Sequence, residues 1–276
     1  MLPRFRCLVP KNKKEALDML KDEGNTRVLA GGTDLLVDIR KYTCCPETLI
    51  DITRIREFKR PFDRVSGILS PAATHAFASG SGEIKQDFPA LALGCAQVGS
   101  PQIRNMATIG GNIANACPAA DSVPPLLIYD TRLTIESQGE EREEALEGFL
   151  LSPYRSSLKR DELITAIKLK KLKGYRFGFK RLSIRAALSI GRLSVAWAVK
   201  ERSGAYEDVK IAVGSCTPVA FRAREAEMFL KEKPVCGGAV KEAEEMITAG
   251  IREKTGERPT HAFKLPILRN ILTEAL

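Results

Sequence analysis

The sequence lacks a long apolar run, and its first residues do not resemble a secretory signal. None of its apolar stretches approaches the roughly 18 residues that a membrane-spanning helix needs. The N-terminal stretch MLPRFRCLVPKNKKEALDML enters an amphipathic pattern directly, without the apolar core of a signal peptide. These absences predict a cytoplasmic protein with no membrane span.

Cysteine spacing typical of a metal site is also missing. The chain has seven cysteines, at positions 7, 44, 45, 95, 117, 216 and 236. Only Cys44 and Cys45 are close, adjacent residues seldom ligate one metal ion, and no C-x-x-C or ferredoxin-type cluster occurs. We therefore predict no metal site in this chain and interpret the cysteines as structural or incidental thiols, while any role for Cys44 and Cys45 stays open. Any iron–sulfur cluster would be held by another chain.

The charge is positive but mixed. A formal net charge of +9 suits an anionic cofactor, an acidic partner or a nucleic acid, although 34 acidic residues are interleaved with the basic ones. The densest basic segment, KKLKGYRFGFKRLSIR (170–185), has three aromatic residues that could form a groove for a single strand. It carries no RRM, KH or zinc-finger signature, so we predict no nucleic-acid binding.

The first 55 residues read as a small β-α-β unit. Residues 13–23 form an amphipathic pattern with Ala16, Leu17 and Leu20 on one face, and Gly24 and Asn25 follow it. Strands are predicted at 27–30, as a short buried strand, and at 48–55, with a glycine turn and the start of a helix between them.

The rest of the chain divides at a change of pattern near residue 177, which gives predicted domains 1–55, 56–176 and 177–276. The middle unit mixes short strands with a helix, and the last unit ends in helices. The predicted elements are strands at 65–74, 132–137 and 209–216, helices at 87–98 and 220–233, a strand or helix at 189–201, and a helical tail. Strands and helices that do not alternate regularly favour an α+β fold over a doubly wound sheet.

Two Gly-Gly loops are the candidate binding elements. Gly31-Gly32 follows a predicted strand, and Gly110-Gly111 lies about eighty residues later. Glycine permits positive φ and close backbone approach, so successive N–H groups can face one anion. We take Gly32 and Gly111 as the positions of closest approach.

Each loop has polar neighbours that could assist. The hydroxyls of Thr33 and Thr108 can donate hydrogen bonds, and Thr33 or Asp34 could cap the next helix. Neither loop is a G-x-G-x-x-G fingerprint or a P-loop, and two ordinary turns are the alternative interpretation. Two such loops could hold one pyrophosphate from both sides, which favours a dinucleotide.

Five segments resemble, in their order, the FAD-binding medium subunits of the xanthine dehydrogenase and carbon monoxide dehydrogenase family of molybdenum hydroxylases. They are AGGTDLL (30–36), ATHA (73–76), FPALA (88–92), VGSPQIRNMATIGGNIANACPAAD (98–121) and VAFRAREAE (219–227). The resemblance covers nearly the whole chain, and the 98–121 segment is highly specific.

The resemblance implies a set of residues that hold FAD. The first loop wraps the pyrophosphate, the second closes over it, Asp121 contacts the FAD, and Ala114 lies beside the flavin ring. Val98 stands where some relatives have an aromatic contact. Arg192 stands where xanthine dehydrogenase has a flavin-contacting lysine, if Arg181 and Arg185 align with the K-x-x-x-R segment of that family. The implied FAD residues are Val28, Leu29, Ala30, Gly31, Gly32, Thr33, Asp34, Leu35, Leu36, Val98, Thr108, Ile109, Gly110, Gly111, Asn112, Ala114, Asp121 and Arg192.

The resemblance also implies the fold and the cofactor chemistry. Two α/β subdomains of the vanillyl-alcohol-oxidase (PCMH) type would sandwich FAD, ahead of a C-terminal domain with a small antiparallel sheet and helices. FAD would be bound non-covalently, and His75 would be a buried, hydrogen-bonded residue. His261 lies in a polar tail, and we expect no functional role for it. No cysteine-bearing insertion that could hold an extra cluster is present.

The implied function is electron transfer within a complex. A large subunit would oxidise substrate at molybdopterin, a small subunit would carry iron–sulfur clusters, and this FAD would pass electrons to NAD+ or another acceptor. No nucleophile or acid–base group with an orienting partner is evident in this chain, so no catalytic residue is predicted. The alternatives are a self-sufficient FAD oxidoreductase of the same fold, or a non-catalytic basic interaction protein. The substrate, the acceptor and the stoichiometry stay open.

Overall fold

The structure is a computed structural model that describes residues 2–22, 24–185 and 188–276. The N-terminal unit is a three-stranded parallel sheet with strand order β1-β3-β2. Its elements are β1 (Arg6–Leu8), α1 (Lys13–Asp22), β2 (Thr26–Leu29), α2 (Leu35–Arg40) and β3 (Thr48–Asp51). The predicted β-α-β arrangement is therefore present.

The amphipathic helix of the N-terminal unit is confirmed. Ala16, Leu17 and Leu20 of α1 are buried together against the end of β3, while Glu23, the last residue of that prediction, lies outside the described residues. The strand predicted at 48–55 is too long. It ends at Asp51 because the Asp51 carboxylate accepts a hydrogen bond from the Thr53 N–H (2.9 Å) and starts a short 3-10 turn. The strand predicted at 27–30 is only half-buried, with Arg27 exposed.

The middle unit is an antiparallel sheet of order β4-β5-β10-β6-β7, covered by short helices. Its elements are β4 (Phe62–Asp63), β5 (Ile68–Leu69), α3 (His75–Gly80), α4 (Gly82–Asp87), α5 (Pro89–Ala96), α6 (Pro101–Met106), α7 (Ile109–Asn115), α8 (Val123–Ile128), β6 (Arg132–Ser137), β7 (Glu140–Ala145), α9 (Leu146–Phe149), β8 (Leu150–Ser152), β9 (Arg155–Ser156) and β10 (Leu163–Lys168). The strand predicted at 132–137 is β6, and α5 lies inside the helix predicted at 87–98.

The strand predicted at 65–74 is wrong except for Ile68–Leu69. Gly67 takes a positive φ of 72° and closes a hairpin with β4, which leaves only two residues in the ladder. The chain then turns, and the Thr74 side chain accepts a hydrogen bond from the Phe77 N–H and caps α3.

The C-terminal unit is a four-stranded antiparallel sheet with helices on one face. Its elements are β11 (Arg176–Leu182), β12 (Leu193–Arg202), β13 (Ala205–Gly214), β14 (Phe221–Arg222), α10 (Arg224–Leu230), α11 (Gly237–Thr255) and α12 (His261–Ala275). The element predicted at 189–201 is a strand, and the helix predicted at 220–233 starts late because Phe221–Arg222 extends the sheet beside β13. The α+β prediction, with an antiparallel C-terminal sheet and helices, is confirmed.

The C-terminal sheet is buried on both faces. Ala196 and Ala198 of β12 face the core that α5 and α8 share with the middle unit, whereas Val195, Trp197 and Val199 face α11 and α12. Small side chains on the first face let α8 approach closely. The division at 55/56 and 176/177 stays a prediction.

The structure bears on two sequence interpretations in the C-terminal unit. Tyr175 and Phe177 pack on the core and Phe179 is buried, so the rings of the basic segment 170–185 are not free for stacking on bases. His261 is also buried, at the start of α12, so it does not lie in an exposed polar tail. No helix within the described ranges is long and apolar enough to cross a membrane.

Candidate functional site

The two glycine loops meet in the structure. A Cβ placed on Gly31 would lie 1.9 Å from the Met106 carbonyl oxygen, just before the second loop, and one on Gly111 would lie 3.8 Å from the Ala30 Cβ. The Asn115 side chain donates a hydrogen bond to the Asp34 carboxylate (3.1 Å). The sequence therefore identified two segments that the fold brings into contact, and the glycines permit that contact.

The first loop presents free backbone donors. Within the described ranges, the N–H groups of the four consecutive residues Gly31, Gly32, Thr33 and Asp34 donate no hydrogen bond. Gly32 has a positive φ of 69°, which a residue with a side chain rarely adopts. Consecutive amides in a turn of this kind form a concavity for an anion. The first loop fits a phosphate group.

The second loop differs from the prediction. Its first three helical N–H groups are already used: Ile109 donates to the Ala73 carbonyl (2.8 Å), Gly110 to the Pro71 carbonyl (2.9 Å), and Gly111 to the Thr108 hydroxyl (3.1 Å). Neither glycine has a positive φ, because both lie in α7. Gly111 therefore lacks the positive φ that was expected of it, while its close approach to a ligand stays a prediction.

The free donors of the second loop are side chains. The Thr108 oxygen accepts from Gly111, so its own hydrogen stays available to a ligand. The Asn112 Oδ1 atom accepts from the Ser122 hydroxyl (2.7 Å), which leaves the Asn112 amide hydrogens without a partner among the described residues. This loop would hold a ligand through side chains while the first loop holds it through its backbone.

The predicted cap of α2 is also wrong. Asp34 is the residue before α2, but its side chain accepts no hydrogen bond from the helix, and Thr33 does not cap α2 either. Asp34 accepts from Asn115 instead, so it ties the two loops together. Burial, followed by the neighbouring Asp38, raises the pKa of Asp34, and the Asn115 hydrogen bond opposes this shift.

Asp121 lies in a buried ion pair that the sequence did not reveal. Its Oδ2 atom is 2.5 Å from the Arg181 guanidinium of β11, and both side chains are almost completely buried. The other oxygen, Oδ1, is buried with no hydrogen-bond partner among the described residues. Burial raises the pKa of Asp121 to about 6, although the charge of Arg181 lowers it. An unsatisfied buried acceptor of this kind fits a ligand that donates a hydrogen bond.

The remaining predicted FAD contacts do not form one cluster of hydrogen-bonding groups. Arg192 is exposed at the start of β12, immediately after Gly191, where an added Cβ would lie 3.1 Å from Asp121 Oδ1. Val98 is half-buried, and its carbonyl accepts from the Arg104 side chain (3.0 Å). Ala114 is half-buried at the edge of the core. Val28, Leu29, Leu35 and Leu36 are half-buried around the first loop.

His75 supports the second loop and is buried and hydrogen-bonded, as predicted. Its Nδ1 atom is 2.8 Å from the Ala107 carbonyl, and its backbone N–H donates to the same oxygen (3.1 Å). Burial lowers the pKa of His75. A neutral imidazole that donates to Ala107 fixes the chain one residue before Thr108.

Two surface grooves lie away from the glycine loops. A groove of about 760 Å³ runs along α11 and α12, and a smaller one of about 460 Å³ lies beside Asp130 and Arg132. Some of the charged groups that line them are paired, as with Glu244 and Arg269 (3.1 Å) or Asp130 and Arg222 (2.8 Å). No group of three or more His, Cys, Asp or Glu side chains in the described part of the chain could hold a metal ion.

Two family models together span nearly the whole chain. Residues 3–172 match the FAD binding domain in molybdopterin dehydrogenase, and residues 179–276 match the CO dehydrogenase flavoprotein C-terminal domain. The boundary between the matches falls at the start of the C-terminal sheet.

Relatives and solved structures agree with these matches. The chain is 28% identical over 274 residues to the glyceraldehyde dehydrogenase medium chain of Sulfolobus acidocaldarius, covering 99% of this chain and 97% of that one. It is 26% identical to the xanthine dehydrogenase FAD-binding subunit of Escherichia coli O157:H7, covering 95% and 91%. A chain in the structure of carbon monoxide dehydrogenase from Hydrogenophaga pseudoflava superposes with a TM-score of 0.92 at 25% identity, covering 100% of this chain and 96% of that one.

Proposed function

The chain belongs to the family of FAD-binding medium subunits of molybdopterin dehydrogenases, and on that premise we propose that it holds FAD non-covalently between its two glycine loops and passes electrons to NAD+ or another acceptor. It is an oxidoreductase subunit of a molybdopterin hydroxylase complex. The observation that carries the proposal is the run of four unpaired amides from Gly31 to Asp34, held against the second loop.

The first loop supplies the pyrophosphate contacts. The amides of Gly31 to Asp34 point their partial positive charges at an anion without losing a hydrogen bond elsewhere in the protein. Thr108 and Asn112 donate from the opposite side through their hydroxyl and amide groups. This division of donors suits an extended pyrophosphate, whose two phosphates offer oxygens in several directions.

Asp121 would contact a different part of the cofactor. Its free Oδ1 atom accepts a hydrogen bond, and FAD carries hydroxyl donors on its ribityl and ribose groups. Arg181 keeps the other oxygen occupied and fixes the orientation of the carboxylate. Ala114 and Val98 would offer small apolar surfaces at the flavin ring, and Arg192 would reach the ring from the C-terminal unit. The remaining proposed contacts are Val28, Leu29, Ala30, Leu35, Leu36, Ile109, Gly110 and Gly111.

Bound FAD would supply the redox chemistry, accepting electrons one at a time and releasing them singly or in pairs. The residues of this chain bind and orient the cofactor, and they need no nucleophile or proton relay for that task. His75 is buried against Ala107 and holds the second loop in place, which does not require a covalent bond to flavin.

The electron donors would lie on other chains. The names of the relatives describe medium chains and FAD-binding subunits, so we propose a large subunit with molybdopterin and a small subunit with iron–sulfur clusters as partners. The acceptor would be NAD+ or another electron acceptor.

The direct test is the flavin content of the purified chain. We expect a yellow protein with one FAD per chain, released intact by acid or heat because attachment is non-covalent. Apo-protein prepared in this way should bind added FAD again. A colourless chain that cannot be reconstituted would refute the proposal, and flavin that stays with the denatured chain would refute its non-covalent part.

A further inference from the structure

Arg222 belongs to the VAFRAREAE segment (219–227), which contributes no residue to the proposed FAD contacts. It lies in β14 of the C-terminal unit, and only 1% of its side chain is exposed. Both oxygens of the buried Glu227 carboxylate accept hydrogen bonds from it, from Nε at 2.6 Å and from Nη2 at 2.7 Å. Glu227 also accepts from the N–H of Ile211 in β13 (2.7 Å), so the guanidinium group is fixed against the C-terminal sheet.

Two further hydrogen bonds of Arg222 reach the middle unit. Its Nη1 atom donates to the Leu127 carbonyl of α8 (3.0 Å) and to the Asp130 carboxylate just after that helix (2.8 Å). The Lys210 ammonium of β13 donates to the other Asp130 oxygen (3.1 Å). Asp130 has a positive φ of 48°, a conformation that persists in a residue with a side chain when the surrounding contacts impose it. Two cations of the C-terminal unit therefore hold the end of α8 and the turn that follows it.

The other end of α8 carries two residues that shape the proposed FAD site. Asp121 and Ser122 directly precede the helix, which begins at Val123. The Ser122 hydroxyl donates to the Asn112 Oδ1 atom (2.7 Å), which leaves the amide hydrogens of Asn112 for a ligand. Asp121 has one oxygen on Arg181, and the other has no partner among the described residues.

The helix between these two ends is short and tightly packed. α8 spans six residues, all of them buried, which makes it about 9 Å long. Its first turn contains Pro124 and Pro125, whose rings fix φ. A Cβ on Gly214 of β13 would lie 2.8 Å from the Pro124 Cγ atom, and one on Gly94 of α5 would lie 2.6 Å from the Asp121 carbonyl oxygen. Because a close-packed element of this kind transmits strain, a displacement at its end also moves its start.

We propose that Arg222 is a positioning residue for FAD, because it holds the end of α8 and so fixes the places of Asp121 and Ser122 at the start of that helix. It acts through these two residues and not by contact with the cofactor, since the length of α8 lies between them. Without its hydrogen bonds, α8 would shift and move the Asp121 carboxylate and the Asn112 amide away from FAD. This inference rests on the proposed function.

The test replaces Arg222 by lysine in the full chain and titrates the apo-protein with FAD. Lysine keeps the positive charge, but its ammonium group cannot reproduce the planar fork that joins Glu227 to Leu127 and Asp130. We expect Arg222→Lys to weaken FAD binding by about tenfold, the effect of losing one well-placed hydrogen bond to the cofactor.

A double variant distinguishes positioning from a purely structural role. Ser122→Ala removes the contact with Asn112 directly, so it should weaken FAD binding by itself. If Arg222 acts through the start of α8, the losses of affinity in Arg222→Lys and Ser122→Ala should be less than additive when the two are combined. Full additivity would overturn the proposal.

The matched control is Arg269→Lys. Arg269 pairs with the buried Glu244 carboxylate between α12 and α11 (3.1 Å), on the opposite face of the C-terminal sheet from α8. Urea unfolding should show a loss of stability in this variant, as in Arg222→Lys, but its affinity for FAD should equal that of the wild type. The proposal is overturned if Arg222→Lys binds FAD as tightly as the wild type, or if Arg269→Lys loses as much affinity.

Asp130→Asn is the second variant if Arg222→Lys does not fold. Asparagine tolerates a positive φ and keeps the size of the side chain, but it removes the charge that Lys210 and Arg222 share. It should also weaken FAD binding, and an unchanged affinity would overturn the proposal. A wild-type chain that takes up no FAD refutes the proposed function, and this inference with it. A wild type that binds FAD no better than the variants refutes this inference alone.

Discussion

Gly31 and Gly32 are adjacent, but they restrict the first loop for different reasons. Alanine at Gly31 would place its Cβ 1.9 Å from the Met106 carbonyl oxygen, so the two loops would have to separate. Alanine at Gly32 would press only on the Leu29 and Leu36 side chains (3.0 and 3.1 Å), but it would carry the strain of a positive φ, about 1–3 kcal/mol. We expect each variant to weaken FAD binding by about tenfold or more, measured by titrating apo-protein with FAD.

Gly80→Ala is the control for both variants. Gly80 ends α3, has no atom within 4 Å of its added Cβ and needs no positive φ, so this variant should bind FAD like the wild type. Circular dichroism should show an unchanged fold in all three proteins. Equal FAD affinity across the set would mean that the contact between the loops does not shape the binding site.

The burial of Asp121 makes stability depend on pH, because it raises the pKa of this carboxyl group against the opposing effect of Arg181. The pKa of Asp121 is about 6 in the folded chain, above its ordinary value of 3.8, so the folded state keeps a proton that the unfolded chain releases. Stability therefore falls as pH rises through this window. Arg181→Met should cost about 3–5 kcal/mol at pH 7.5, where it leaves a buried carboxylate unpaired, and less at pH 5, where Asp121 is protonated.

Urea unfolding of the apo-protein at the two pH values measures this difference. Arg64→Met is the matched control, because Arg64 forms a partly exposed pair with Asp87 (3.0 Å). That variant should lose about 0–1 kcal/mol at either pH. An equal loss at pH 5 and pH 7.5 in Arg181→Met would show that the carboxylate of Asp121 is not held charged by Arg181.

Single residues also mark the limit of sequence reasoning. The glycines of the two loops were visible as a local pattern, but the partner of Asp121 is sixty residues away on β11 and has no local signal. The positive φ of Ser215 also has no local signal, because nothing in the sequence GSCTP predicts a positive φ at a serine. Such features arise from tertiary packing, which overrides local preference.

Helix α7 depends on its first residue for both stability and site geometry. The Thr108 hydroxyl accepts the Gly111 N–H (3.1 Å), an N-cap contact whose loss costs about 0.5–2 kcal/mol. Thr108→Val should therefore lower stability by that amount and weaken FAD binding, while Thr108→Ser should retain both. Denaturant unfolding and FAD titration measure the two effects.

Ser81→Ala separates the two effects, because Ser81 caps α4 through the Ile84 N–H and lies outside both loops. We expect it to lose comparable stability and keep its affinity for FAD. If Thr108→Val behaved in the same way, Thr108 would be a helix cap without a role in binding.

Elements with a strong periodic pattern were predicted well. The face of α1 and the strand β6 follow directly from the spacing of their apolar residues, whereas the helix α5 is apolar almost throughout and has no such spacing. Short strands were not: β4 and β5 have two residues each and exist only because Gly67 closes a hairpin. Gly110-Gly111 was read as an open turn, although the Thr108 cap and the Pro71 and Ala73 carbonyls make it the first turn of a helix.

At the scale of the whole molecule, the chain is expected to work only in a complex. A tagged copy isolated gently from its native host should bring down two further chains, one of them rich in cysteine. The net charge of +9 favours an acidic partner, so added salt should slow association more than it weakens the final complex. Mass spectrometry of the purified complex identifies the chains, and stopped-flow mixing at two salt concentrations measures the rate.

Two other outcomes would contradict the prediction that the chain works in a complex. If the tagged chain runs alone and oxidises or reduces a substrate unaided, it is a self-sufficient flavoenzyme rather than a subunit. A colour-free chain that binds only acidic proteins would favour the basic interaction protein.

Strand β12 lies inside the C-terminal sheet with both of its faces buried, one against α8 and the other against α12. Its amide protons can exchange with solvent deuterium only when the sheet unfolds. The amides of Val195 to Val199 should therefore exchange at the rate of global unfolding. The amides of Gly31 to Asp34 have no such protection in the free chain. In the free chain they should exchange within seconds, and a bound ligand that covers them should slow this exchange. One hydrogen-exchange experiment would therefore show β12 as the slowest segment and the first loop as the fastest.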